Sequence, residues 1–314
     1  MKGILGKVLL FLFVLLVSVV ISFVMLVGIT KDADKINTWK ITQYSSVTGN
    51  QAEFYSIERG DGELVLVDGG FEEDAEQVMD VIRAHDNHVY AWIITHPHPD
   101  HVGAFNAVMS QYQDQIQVDK IYTTKVNKER YEETAQDYDV IDAYYKFLDV
   151  SKDFANITYL EENDEFEMIG LHVEVLHAWD EFVDRQPLHS CNFGSLMFKL
   201  EGKKQSILYC SDNGDDGKGC GPMEQDILSD QKDNLDADYV QLGHHGNWGF
   251  TEDFYDYVTP DVAFMDAPAS ITQAPDGAGV PGKPFDAADM RKHLESEGCK
   301  VYDYTTCPNV VVLK

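Results

Sequence analysis

Residues 93–103 read IITHPHPDHVG, and the fold turns on them. The run AWIIT from Ala91 is short, apolar and bounded by polar chain, the pattern of a buried strand. Behind it stand His96, His98, Asp100 and His101, three imidazoles and a carboxylate within six residues. Pro97 and Pro99 push His96 and His98, the residues before them, toward extended backbone. Side chains two apart on extended backbone share a face, so both imidazoles can reach one metal ion. Asp100 either caps the helix expected over 100–108 or binds metal, and His101 follows at once. This donor set matches zinc's preference for nitrogen and oxygen. The bland alternative is a polar turn with surface histidines. The order strand, motif, helix weighs against it.

Upstream, alternating or apolar runs predict strands over 38–44, 52–58 and 63–68, with turn chemistry at Gly60-Asp61-Gly62 and Gly69-Gly70. Ala75, Val78, Val81 and Ile82 recur at helical spacing and predict a helix over 72–85. Downstream, residues 128–149 predict one long polar helix, with the stripe Ile141, Tyr144, Tyr145 and Leu148 packed on a core. Strands resume at 171–177, 195–200, 205–211, 237–243 and 260–267. A helix near 286–296 and a strand at 309–313 close the chain. No repeat or low-complexity tract interrupts residues 38–314. They read as one α/β domain with two strand-rich halves and no linker between them.

Residues 8–29 carry no charge over 22 positions, and about 20 apolar residues cross a membrane's hydrocarbon core as a helix. A cleaved signal has a shorter apolar region, roughly 7–15 residues, and a small-residue cleavage site. The expected organisation is a membrane anchor over 1–30, with a signal peptide as the alternative, a short linker over 31–37, and the soluble domain over 38–314. Lys2 and Lys7 ahead of a large domain place the N-terminus inside and the domain outside the cytoplasmic membrane, as a single-pass protein. The chain has 24 basic and 54 acidic residues, a formal charge of −30. Lys2 and Lys7 are the only charges before residue 31, so residues 31–314 set 22 basic against 54 acidic residues, a formal −32. That surface repels polyanions and disfavours extended nucleic-acid or anionic-membrane binding, while a local metal site can still hold one phosphate. Five cysteines are too few for a disulfide scaffold. Cys299 and Cys307 flank a strand and could pair if exported, a pairing the sequence does not settle; Cys191, Cys210 and Cys220 fall near the candidate site residues.

HPHPDH at 96–101 resembles the HxHxDH signature of the metallo-β-lactamase superfamily of hydrolases. LVDGG at 66–70 resembles the strand-end Asp that precedes that signature, so Asp68 is expected to support a ligand from behind. LYCSDNGD from Leu208 resembles the strand ending in a metal-bridging Asp, which maps to Asp212. LGHHG from Leu242 resembles the final histidine motif, at His244 and His245. The resemblance covers most of residues 38–314 and implies an αββα sandwich with metals at one edge between two sheets. Leu176-His177, NFGSLMFKL from Asn192, LYCSD and GHHG resemble one branch of the superfamily. It includes the hydrolase domain of competence DNA-uptake channels and the phosphorylcholine esterases of teichoic acid. Many members place a histidine between the first motif and the bridging Asp, completing the first metal site. Here Asn192 stands near that place, with His189 and Cys191 close by. His189 reads as a solvated loop histidine, with a metal ligand as the alternative, and His177 as packing or hydrogen-bonding beside the site.

The resemblance implies two divalent ions, zinc foremost and manganese or iron(II) as alternatives. His96, His98 and Asp212 would bind one; Asp100, His101, Asp212 and His245 would bind the other. His244 would act on the substrate side as an acid or hydrogen-bond donor. Metals about 3.5–4 Å apart activate a shared water and clamp a developing oxyanion. Asp100 would orient that hydroxide, so neither Ser211 nor Cys210 is needed as a nucleophile. A small or cell-surface phosphodiester or phosphocholine-type ester fits the branch and an outward location. Lactone or β-lactam hydrolysis is the rival, and a metal-stabilised binding module without catalysis is the alternative from another class. Iron-based oxygen reduction is disfavoured, because such relatives replace a motif histidine with Glu.

Overall fold

The structure is a computed structural model and describes residues 15–20, 36–136, 139–214, 222–280 and 282–314. Two seven-stranded sheets dominate it. The first runs in the order Asn309–Leu313, Trp39–Gln43, Phe54–Arg59, Leu64–Asp68, Ala91–Ile94, Ile121–Thr124 and Ile157–Leu160. The second runs Lys300–Tyr302, Val262–Phe264, Tyr239–Gln241, Ser206–Tyr209, Met197–Glu201, Leu171–His177 and Glu165–Met168. Each sheet is antiparallel on one side and parallel on the other.

Strand alternation explains the layering. Val65 and Val67 pack with Val173, Val175, Phe198 and Ile207 in a core between the sheets. Their neighbours Leu64 and Leu66 point the other way, into a core with Val78, Met79, Ile82 and Phe105 from the helices Ala75–Arg83 and Pro99–Gln111. Leu208, Val240 and Leu242 cluster in the same way with Met223, Ile227, Phe254 and Val258. A strand covered on both faces reads as a continuous apolar run, as LVLV does. This is the mixed α/β sandwich expected.

One expectation needs correction. Residues 128–149 do not form one helix: Lys128–Thr134 and Asp142–Ser151 are separate, with a break between them. At the break the Asp139 carboxylate accepts the Gln136 backbone N–H at 2.6 Å, an alternative to helical bonding that a periodicity count does not see. Tyr144 and Leu148 do pack on the core, whereas Tyr145 is exposed. Cys299 and Cys307 are free thiols; Cys299 precedes the strand Lys300–Tyr302, and Cys307 follows the turn Tyr304–Thr306 beyond it. No helix among the described residues is long and apolar enough to cross a membrane. Residues 15–20 are helical, and the rest of the 8–29 span lies outside the described residues.

Candidate metal centre

Every element of the centre hangs from the carboxyl end of a strand. Asp68 ends Leu64–Asp68, His96 follows Ala91–Ile94, Asp212 follows Ser206–Tyr209, and His244 and His245 follow Tyr239–Gln241. Within each sheet these neighbours run parallel, so their ends meet at one edge. Ligands of open α/β sheets gather at such edges. The backbone there is strained. Six of the eleven described non-glycine residues with positive φ are Asp68, His189, Ser211, His244, His245 and Trp248, all at or beside the centre. Such conformations persist only where the surroundings over-determine them.

The structure brings His96, His101 and Asp212 together, with donor atoms within 4.8 Å of one another, and does the same for Asp100, His101 and His245. Asp212 links the two groups. Its Oδ2 is 3.6 Å from His96 Nε2, and its Oδ1 is 3.2 Å from His101 Nε2 and 3.4 Å from His245 Nε2. Asp100 Oδ2 lies 3.3 Å from His245 Nε2. Two nitrogen or oxygen ligands about 2.0–2.1 Å from a tetrahedral zinc stand roughly 3.3–3.4 Å apart, so these spacings suit donors sharing an ion. His96 Nε2, His101 Nε2, both His245 ring nitrogens and Asp212 Oδ1 are buried without a hydrogen-bond partner. Buried polar atoms are rarely left so. The residues present therefore fit divalent metal.

Two of the histidines are aimed from behind. His101 Nδ1 meets Asp68 Oδ2 at 2.7 Å, while Asp68 also accepts the Thr95 N–H at 2.8 Å and hydroxyl at 2.6 Å. His98 Nε2 meets Asp139 Oδ1 at 2.5 Å, which leaves Nδ1 as its ligand atom. A carboxylate on the far nitrogen is the usual support of a metal-binding imidazole. Burial, followed by the His101 charge, holds His96 well below its ordinary pKa, in the neutral form that binds metal. Burial opposes charge on Asp212, but His245 and His101 outweigh it and hold the carboxyl well below its usual range. Glu53, fully buried, has Oε2 3.7 Å from His101 Nδ1; burial and then the Asp68 charge push it well up.

A cleft of about 520 Å³ opens over the centre, lined by His98, Asp100, Asp212, His244, His189, Asn192, Trp248 and Lys283 among others. His244 Nδ1–H donates to the Asn247 carbonyl at 2.6 Å, so the neutral ring presents Nε2 as an acceptor. Donation from Nε2 would need the imidazolium, which burial disfavours by lowering the His244 pKa. Asn192 Oδ1 is buried without a partner, and His177 Nε2 meets the Phe193 carbonyl at 2.6 Å. The far wall is a hairpin, Gly279–Val280 paired with Lys283–Pro284. Trp248 docks it through its indole N–H to the Pro284 carbonyl and its backbone N–H to Asp286 Oδ1, both 2.7 Å. Lys283 Nζ lies over the Trp248 ring at 3.9 Å. Sequence reasoning missed Asp139, Trp248 and Lys283. Trp248, two residues past GHHG, was the one with a signal.

The sequence model of the metallo-beta-lactamase superfamily matches residues 47–178, which include Asp68 and the motif at 96–101. No curated protein matches the chain by sequence. The metallo-beta-lactamase fold protein YhfI from Bacillus subtilis superposes with a TM-score of 0.52 at 11% identity, over 88% of this chain and 99% of its own. CmlA, a diiron beta-hydroxylase from Streptomyces venezuelae, superposes with a TM-score of 0.53 at 11% identity over 87% of this chain. The chain spans only 54% of CmlA's length. Likeness at such identity is likeness of fold: the chain has a metallo-beta-lactamase-like fold, and its residues 47–178 match the superfamily's model.

Proposed function

We propose that this protein is a dinuclear zinc hydrolase of small phosphodiesters. One observation carries the reading: a single cleft joins Asp212, His98 and Asp100 of the metal centre to Lys283, held over Trp248 on the opposite wall. An anionic ester spanning that cleft meets the metals at its reacting group and an ammonium on the other side. Bound at these donors, two divalent ions would supply a hydroxide at neutral pH and charge to stabilise the developing oxyanion. The chain's own groups do the rest. Asp100 accepts a hydrogen bond from the attacking water and orients it. His244 Nε2 accepts one from a water or hydroxyl in the cleft. Lys283 pairs with the substrate anion, and Trp248 holds Lys283 in place. The −32 of residues 31–314 favours substrates with one or a few phosphates over long polyanions.

The test is turnover of the zinc-loaded protein on bis-p-nitrophenyl phosphate, a phosphocholine ester, a lactone, a β-lactam and single-stranded DNA. Turnover on the small phosphoesters is expected. Turnover confined to the lactone or β-lactam would overturn the substrate, and none on any would overturn the enzyme. His244→Ala should lose turnover while keeping its metal. We further propose that residues 8–29 anchor the domain outside the cytoplasmic membrane; resistance to external protease in whole cells would overturn this.

A further inference from the structure

We propose that Cys191 is the third protein ligand of the first metal, so that His96, His98 and a thiolate hold that ion beside Asp212. The proposal rests on the metal-centre reading above and completes it. Cys191 Sγ and one ring nitrogen each of His96 and His98 lie within 4.8 Å of one another, all on buried residues. His96 Nε2 is fully buried and has no hydrogen-bond partner. His98 Nε2 is taken by Asp139, so its Nδ1 is the atom left for an ion.

Local structure pins the sulfur in place. Cys191 lies in the single helical turn Ser190–Phe193, entered through His189 in the left-handed region with φ 61°. The Ser190 hydroxyl bonds the Thr134 hydroxyl on one side of the turn. On the other side, His177 Nε2–H donates to the Phe193 carbonyl at 2.6 Å. The Tyr131 hydroxyl, buried without a partner, faces Cys191 and can donate to a thiolate. His189 lines the cleft but is not in the donor cluster. Asn192 offers an amide oxygen, a weaker zinc ligand than a thiolate.

The chemistry balances simply. The S–H bond breaks, its proton leaves to solvent, and the sulfur's electron pair forms the metal bond. A soft thiolate favours zinc over manganese or magnesium at this position.

Cobalt(II) tests this without any turnover. The apo protein titrated with Co²⁺ should develop the near-ultraviolet thiolate-to-cobalt charge-transfer band as well as the visible d–d bands. Cys191→Ser should lose the charge-transfer band, with bound cobalt falling from about two ions per chain to about one. Cys191→His should restore the second ion without the band, which separates ligand loss from misfolding. Metal should also protect Cys191 from iodoacetamide, read by peptide mass spectrometry. Cobalt bound by the wild type without the band, or a band that survives in Cys191→Ser, would overturn the thiolate and leave the metal centre standing. No cobalt bound at all would overturn the metal centre itself.

Discussion

Asp68 and His101 form a fully buried pair, Oδ2 to Nδ1 at 2.7 Å, at the seam where the first sheet's strand ends meet the bridging Asp212. The carboxylate leaves His101 Nε2 as the only ring nitrogen that can face the centre. In Asp68→Asn, an amide replaces a carboxylate held by Thr95, and one of its ends donates where an acceptor is needed. Metal affinity should fall about 10–100-fold, measured by competition with a chromophoric chelator. Unchanged affinity would show that the pair does not set the ring.

Asp139 performs the same service for His98 from a different element. Asp139→Asn should therefore weaken one ion by about 10–100-fold and spare the other. A cobalt titration would become biphasic. Equal weakening of both ions would show that the two supports are not independent.

Lys283 gives the cleft a pH dependence. Burial pulls its ammonium down to about 8, against the attraction of Asp286. The charged form, which pairs with an anionic ester, is present below that value and lost above it. KM for a phosphodiester should rise between pH 7 and pH 9, with kcat changing less. Lys283→Arg should keep KM low across that range, because a guanidinium stays charged. Lys283→Met should raise KM at every pH. A methionine variant with wild-type KM would remove Lys283 from substrate binding.

Gly103 lies in the helix that carries Asp100 and His101, where that helix crosses residues 71–72. A Cβ there would stand 2.6 Å from Glu72 N and 2.8 Å from the Phe71 carbonyl carbon, both backbone atoms. Gly103→Ala should cost about 1–3 kcal/mol and lower Tm by several degrees. An unchanged melting curve would mean that the crossing relaxes freely.

The motif at 96–101 was legible because its residues are neighbours in sequence and their spacing sets their direction. Asp68, Asp212 and the histidine pair were legible only through resemblance to the superfamily's motifs, because a strand-end acid or an isolated HHG says little by itself. The central strands were legible because burial on both faces leaves an apolar run. The edge strands Ile157–Leu160 and Glu165–Met168 were not, since exposed positions dilute their alternation. Asp139 was hidden inside a polar stretch of helical period. Its role depends on His98, 41 positions away. Lys283 reaches the cleft only through the hairpin's docking on Trp248, a tertiary contact without a local signature.

The first sheet ends in the strand Asn309–Leu313, which lies beside Trp39–Gln43, with Trp39 opposite Leu313 and Gln43 opposite Asn309. The two partners are far apart in the sequence, and Trp39–Gln43 is made first. While the chain emerges, Trp39–Gln43 has a vacant hydrogen-bonding side, the kind of edge that recruits strands from other molecules. Only a chain translated through residue 313 can cap that edge with its own backbone. Polypeptides stopped before residue 309 would keep their histidine motif and leave that side of the buried strand Trp39–Gln43 unpaired.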